Sequence, residues 1–322
     1  FDGSPVEAPA TVRLVPVVEY GAKPDTQDPT TALAGGAVLG QIAAVVDDPE
    51  GRVYVLDAAF KKIAVFQPSG ALDRVLLGGH GKGPGEFQFP TSLARRDDGT
   101  LAVFDFGLGR LTLFSPDGTV LSTRRVPRSR DIAFLGADRV IGTRRPGRDR
   151  AAWVAPLADL RPEAVRDTIG LRPIDRRHSP FGPVHRMGAT FDGRPLIASH
   201  RPGFWLNPRM RGEHWVGFDL LRGAEPRRYD DTDWTPGATV GVGQLSDGRI
   251  VLAYVTRDLS GDRAPEQQTN VIDILDPSGR LLARAQLPQA ELSSMTVSRD
   301  GRTLLLPNHD PFPRVVRYRI EP

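Results

Sequence analysis

Gly51-Arg52-Val53-Tyr54-Val55-Leu56-Asp57 returns 48 residues later as Gly99-Thr100-Leu101-Ala102-Val103-Phe104-Asp105, and this pair decides the fold. At the same offset Ile63-Ala64-Val65-Phe66 corresponds to Leu111-Thr112-Leu113-Phe114, and Gln67-Pro68-Ser69-Gly70 to Ser115-Pro116-Asp117-Gly118. Three features in register at one spacing mark an internal repeat, and a period of this length belongs to stacked or radial arrays. Degraded copies follow. Phe191-Asp192-Gly193-Arg194 leads into Pro195-Leu196-Ile197-Ala198, Ser246-Asp247-Gly248-Arg249 into Ile250–Tyr254, and Arg299-Asp300-Gly301-Arg302 into Thr303–Leu306. A weaker copy, Leu135–Val140, fills the remaining gap and brings the count to six units.

Each unit reads as strand, Asp-Gly turn, strand, loop, strand, Pro-x-Gly turn, strand. Asp-Gly between apolar runs is a hairpin signal because glycine adopts the positive φ of the turn at little cost. The second strands (Val53–Leu56, Leu101–Phe104, Ile250–Tyr254, Leu304–Leu306) are apolar at consecutive positions, so both of their faces must be covered. A radial array covers them by sandwiching each sheet between two neighbours. The fourth strands, such as Val120–Val126 and Leu281–Leu287, are more polar, as an outer edge should be. The last unit stops at a third strand, Arg314–Ile320, and Thr11–Val18 is an orphan strand ahead of the first unit. The expectation is an all-β, six-bladed β-propeller with four-stranded antiparallel blades, closed by the N-terminal strand pairing in the last blade. It is a single domain over residues 1–322, with a flexible segment at 1–10 and the closing strand at 11–19.

Composition narrows the function classes. With 39% hydrophobic and 25% charged residues the chain is globular, and 34 glycines and 29 prolines make it turn often. No cysteine is present, which removes disulfides, thiolate metal sites and a thiol nucleophile. A net charge of +3, together with the acidic stretch Tyr229–Trp234, weighs against nucleic acid as a partner, because phosphate binding needs a sustained basic footprint. No apolar run approaches the ~18 residues of a membrane span. The chain opens Phe1-Asp2-Gly3, and we expect a periplasmic or extracellular protein whose leader, signal or anchor, has been removed.

Gly78-Gly79-His80-Gly81-Lys82-Gly83-Pro84-Gly85-Glu86-Phe87-Gln88-Phe89-Pro90, followed by a strand and Asp-Gly, resembles the linker of NHL-repeat propellers. The likeness, shared in outline with TolB-like bacterial propellers, is specific over residues 42–126 and only a pattern elsewhere. It implies a six-bladed ring around a central channel and no particular activity, since such rings serve as enzymes, sensors and scaffolds. The linker itself has no helix after it to bind phosphate. It reads as a blade-to-blade crossover with Phe87 and Phe89 wedged between sheets.

Three sets of residues carry candidate chemistry. Asp57 and Asp105 share one repeat phase at the end of the second strand, where a carboxylate either accepts backbone N–H groups or holds a cation on the channel rim. Near that phase lie Arg144, Tyr254, His200, and His309 with Asp310. Two histidines and a carboxylate from different blades form an alternative zinc site for a hydrolase or lyase. The innermost strands offer Gln41, Ser92, Asp131 and Ser294, too few hard oxygen ligands for a calcium-dependent lactonase. No Gly-x-Ser-x-Gly elbow is present.

The third set is the loops of the third and fourth units. Arg144, Arg145, Arg148 and Arg150 crowd one loop beside Trp153. The connection from Leu157 to Met187 carries Arg176, Arg177 and Arg186, and an insertion presents Phe204, Trp205, Arg209 and Arg211. Arginine interleaved with large aromatics is the composition of protein-interface hot spots. The sequence therefore favours a non-catalytic, exported scaffold or accessory subunit without a cofactor. It would dock on a protein partner or larger assembly and reach a membrane only through that partner or a removed anchor. The alternatives are the metal enzyme above and a small-ligand sensor in the channel mouth.

Overall fold

The computed structural model describes residues 10–24, 36–127, 129, 131–143, 152–159, 167–169, 184–189, 191, 195–201, 213–218, 227–229, 237–257, 268–277, 280–287 and 292–322. Every regular element within them is a strand. No helix among the described residues is long and apolar enough to cross a membrane.

The described residues begin with a two-part ribbon, β1 (Ala10–Thr11) and β2 (Arg13–Tyr20). The first sheet is β3 (Ile42–Asp47), β4 (Val53–Asp57), β5 (Lys62–Phe66) and β6 (Leu72–Leu77). The second is β7 (Pro90–Arg95), β8 (Leu101–Asp105), β9 (Arg110–Phe114) and β10 (Val120–Arg125). The third is β11 (Ile132–Leu135), β12 (Arg139–Thr143), β13 (Ala152–Pro156) and β14 (Asp167–Ile169). The fourth is β15 (Val184–Ala189), β16 (Pro195–Arg201), β17 (Glu213–Phe218) and β18 (Arg227–Tyr229). The fifth takes β19 (Gly237–Gln244), β20 (Ile250–Arg257), β21 (Gln268–Leu275) and β22 (Leu281–Leu287). The sixth takes β23 (Thr296–Val297), β24 (Thr303–Asn308) and β25 (Arg314–Glu321).

Within each sheet these strands pair antiparallel in chain order, as a repeat of tight hairpins requires. The turn glycines take the expected conformation: Gly51 of Glu50-Gly51, and Gly99, Gly248 and Gly301 of the Asp-Gly turns, have φ of 83°, 87°, 88° and 64°. β2 pairs antiparallel with β25, from Arg13 opposite Glu321 to Tyr20 opposite Val315, and becomes the outer strand of the sixth sheet. The expectation of four strands in every blade needs correction. Five sheets have four strands, and the fifth unit's sheet has five, because β1 adds in parallel to β22.

The oily residues lie in layers between consecutive sheets. Tyr54, Leu56, Ile63 and Val65 of the first sheet pack on Leu93, Leu101, Val103 and Phe114 of the second. Similar layers join second to third, third to fourth, fourth to fifth and fifth to sixth. The circle closes where Tyr20, Leu305 and Val315 meet Val45, Val53 and Phe66. This is a β-propeller. The second strands β4 and β8 are buried at every residue, which is why they read as unbroken apolar runs.

Two aromatic assignments change. Trp153, expected beside the arginine loop as an interface residue, is fully buried in β13, and its Nε1 donates to Ser129 Oγ at 2.8 Å. The strand run Ala152–Ala155 faces sheets on both sides, so the indole is core. Phe87 is buried against Phe114 as expected, but Phe89 is half exposed, with its ring edge-on to Phe106.

Candidate functional site

The repeat places one side chain per unit at a common depth on the axis. Counting back seven residues from Gly51, Gly99, Gly193, Gly248 and Gly301, the glycines of the first turns, gives Ala44, Ser92, Arg186, Gly241 and Ser294, and the degraded third unit supplies Asp131 at the equivalent place. Arg186 was expected in a surface connection. It lies in β15, is 8% exposed, and crosses the axis. Its Nε donates to the Thr239 carbonyl at 3.1 Å and its Nη2 to the Ser293 carbonyl at 3.1 Å. Nη1 stands 3.4 Å from Asp131 Oδ1, and Asp131 Oδ2 accepts the Met187 N–H at 3.0 Å. One long cation can span the axis because Ala44 and Gly241 leave it room. The guanidinium ties the third, fourth and fifth sheets to the segment entering the sixth.

Above this strut a cavity of about 840 Å³ runs along the axis toward the Asp-Gly turns. Its walls are small or apolar side chains such as Ala43, Ala94, Ala133, Val45, Val242 and Met187, drawn from the innermost strands. Its floor is Ser92, Asp131, Arg186 and Ser294. Its mouth carries Asp47, Arg95, Arg96, Asp97, Asp98 and Arg299. A volume in the range of about 300–1,000 Å³, apolar walls and a few placed polar groups are the features of a ligand pocket.

The charges at the mouth are mostly neutralised locally. Arg299 Nη1 meets Asp97 at 2.7 Å, and Arg96 Nη2 meets Asp98 at 2.5 Å while its Nη1 donates to the Ala137 carbonyl. The Arg96 side-chain bond, helped by the Thr100 N–H, holds the Asp98 carboxyl well below the usual range. Asp47 is different: burial raises its pKa, against the opposing pull of Ser298, the Arg299 N–H and Arg317 at 3.7 Å. Arg95 stands apart. No carboxylate among the described residues is placed to pair with it, its Nε and Nη1 are buried without an acceptor, and its guanidinium stacks 5.9 Å from the Tyr54 ring.

Of the residues singled out in the sequence, Ser92, Asp131 and Ser294 reach the cavity, and the rim and metal candidates lie elsewhere. Asp57 accepts N–H groups from Gly40, Gln41, Ala59 and Phe60 at 2.7–3.1 Å. Asp105 accepts from Gln88, Phe89 and Leu108 at 2.6–3.2 Å. Both are fully buried, and their oxygens face backbone donors. Tyr254 is buried too, its hydroxyl 2.9 Å from Asp273, which in turn takes two bonds from Arg284. His309 and Asp310 follow β24 at the end of the channel opposite the cavity mouth, and neither lines the cavity. Of His200 only the strand backbone, in β16, is described. Among the described residues no three His, Asp or Glu side chains gather as a metal site. Arg144, Arg145, Arg148, Arg150, Arg176, Arg177, Phe204, Trp205, Arg209 and Arg211 lie outside the described residues.

No family model matches the chain, so the NHL likeness stays one of local pattern, and no curated protein matches it in sequence. Solved structures do match in shape. A member of the DUF4221 family from Bacteroides vulgatus superposes with a TM-score of 0.60 at 10% identity, over 97% of this chain and 99% of that one. A presumed exported protein from Bacteroides fragilis gives 0.55 at 11% identity over 99% and 98%. Kuenenia stuttgartiensis hydrazine synthase gives 0.54 at 14% identity over 85% and 76%. At these identities the likeness establishes the β-propeller fold.

Proposed function

We propose that this chain is a non-catalytic binding propeller that holds a ligand in the axial channel at its Asp-Gly end. The cavity carries the reading: it has the volume of a ligand site, apolar walls, and a floor formed where Arg186 crosses the axis. We read the six sheets and the layers between them as six blades of one NHL-like ring, and place the protein outside the cytoplasm, as its exported neighbour suggests. The test is occupancy of the channel by a neutral apolar fluorophore, N-phenyl-1-naphthylamine. Saturable binding at one site per chain, abolished by Ala44→Trp at the level of the cavity floor, is the expected result. Binding that survives the tryptophan would place the site elsewhere and end this reading.

Docking on a protein partner remains a second reading, carried by the arginine and aromatic composition of residues 144–150 and 203–211. Trp153 and Arg186 no longer belong to that surface. Arg144, Arg145 and Arg148 changed together to serine should cut partner recovery in a pull-down while leaving the melting temperature unchanged. Undiminished recovery argues that the contact lies elsewhere.

A further inference from the structure

Each arginine that lines the cavity, apart from Arg95, has a carboxylate of its own. Arg96 has Asp98, Arg299 has Asp97 and Arg186 has Asp131, while Asp47 is turned toward Arg317 outside the lining. That leaves Arg95 without a carboxylate partner among the described residues. The Arg95 side chain is half-buried between the first and second sheets, with no acceptor for Nε and Nη1 among the described residues and the face of Tyr54 nearby. A cation partly removed from water without a counter-charge is unfavourable, and an anion arriving from outside would relieve that cost. Immediately inward the walls turn apolar: Ala43 and Val45 on β3, Leu93 and Ala94 on β7, Ala133 on β11.

We propose that the channel is a site for an amphipathic organic anion, with its carboxylate or sulfonate beside Arg95 at the mouth and its apolar body along the alanine-rich walls. The assignment rests on the channel being a binding site and adds the chemical class of its occupant. Charge supplies the selectivity, since a neutral molecule of the same shape leaves Arg95 uncompensated. A cation meets it at close range.

Two probes that share one skeleton make the test. N-phenyl-1-naphthylamine is neutral, and 8-anilino-1-naphthalenesulfonate is the same ring system bearing a sulfonate. The native chain should bind the sulfonate about tenfold more tightly, the scale of one charge-assisted contact. Arg95→Gln should erase that preference and leave the affinity for the neutral probe in place, which also reports that the variant is folded. Arg95→Lys, which keeps the charge, should retain part of it. Equal affinities in the native chain, or a preference that persists in Arg95→Gln, would overturn the anion assignment while leaving channel binding intact. If the native chain holds neither probe, the channel reading and the anion assignment fail together.

Discussion

At Asp57 a single carboxylate serves four backbone N–H groups, two in the segment before β3 and two in the turn after β4. It joins the entry of one strand to the exit of its neighbour, and Asp105 does the same one unit later. Both oxygens are already engaged, so a cation would have to displace backbone donors that have no other acceptor. Asp57→Ala should therefore cost about 2–4 kcal/mol in urea denaturation, and added calcium should leave the native melting temperature where it was. A calcium-dependent rise would return Asp57 to the list of ligands. The structural role of this aspartate was legible from its recurrence at one phase. The role of Arg95 was not, because an arginine two residues before Asp97-Asp98-Gly99 looks like any polar strand end until its partners are known.

The elements that follow a glycine turn were readable to within three residues. Leu281–Leu287 coincides with the observed strand, and Val53–Leu56 and Leu101–Phe104 each gain one aspartate at the end. The failures share a cause. Arg186 was assigned to a connection because a charged residue in a run rich in arginine and proline carries no strand signal of its own. Its spacing from Gly193 was the available signal, and it points to the axis. Gly188 in the same strand shows why the position is constrained: a Cβ there would come within 1.7 Å of the Val242 carbonyl oxygen on β19. Close approach of two innermost strands, not turn geometry, demands that glycine. Trp153 failed in the opposite direction, since a large aromatic near an arginine cluster resembles an interface until Ala152–Ala155 is seen to be covered on both faces.

For the whole molecule, stability depends on closure. β1 lies on the fifth sheet and β2 on the sixth, so eleven residues at the start of the described chain fasten two sheets that come late in it. Arg317 reinforces the join, donating to the Tyr20 hydroxyl, Ser298 Oγ and the Gly51 carbonyl. Deleting residues 10–20 should uncover the edge of β25 and one face of the closing layer. The melting temperature should fall by roughly 10 °C or more, and the single transition should broaden as sheets come apart unevenly. A sharp, unshifted melt of the truncated chain would mean that the ring is held shut by the sheet-to-sheet layers alone.

The same join sets a limit on the order of events at the ribosome. Tyr20 and Arg317 are separated by 297 positions along the chain, so β2 must wait for β25 before it has a sheet partner. The early hairpins can assemble as they emerge, but the circle is completed only once β25 is available. Contacts this distant in sequence are slow to form, and an unmated β2 is an adhesive edge in the meantime. Maturation of this protein should therefore be sensitive to crowding with copies of itself during synthesis.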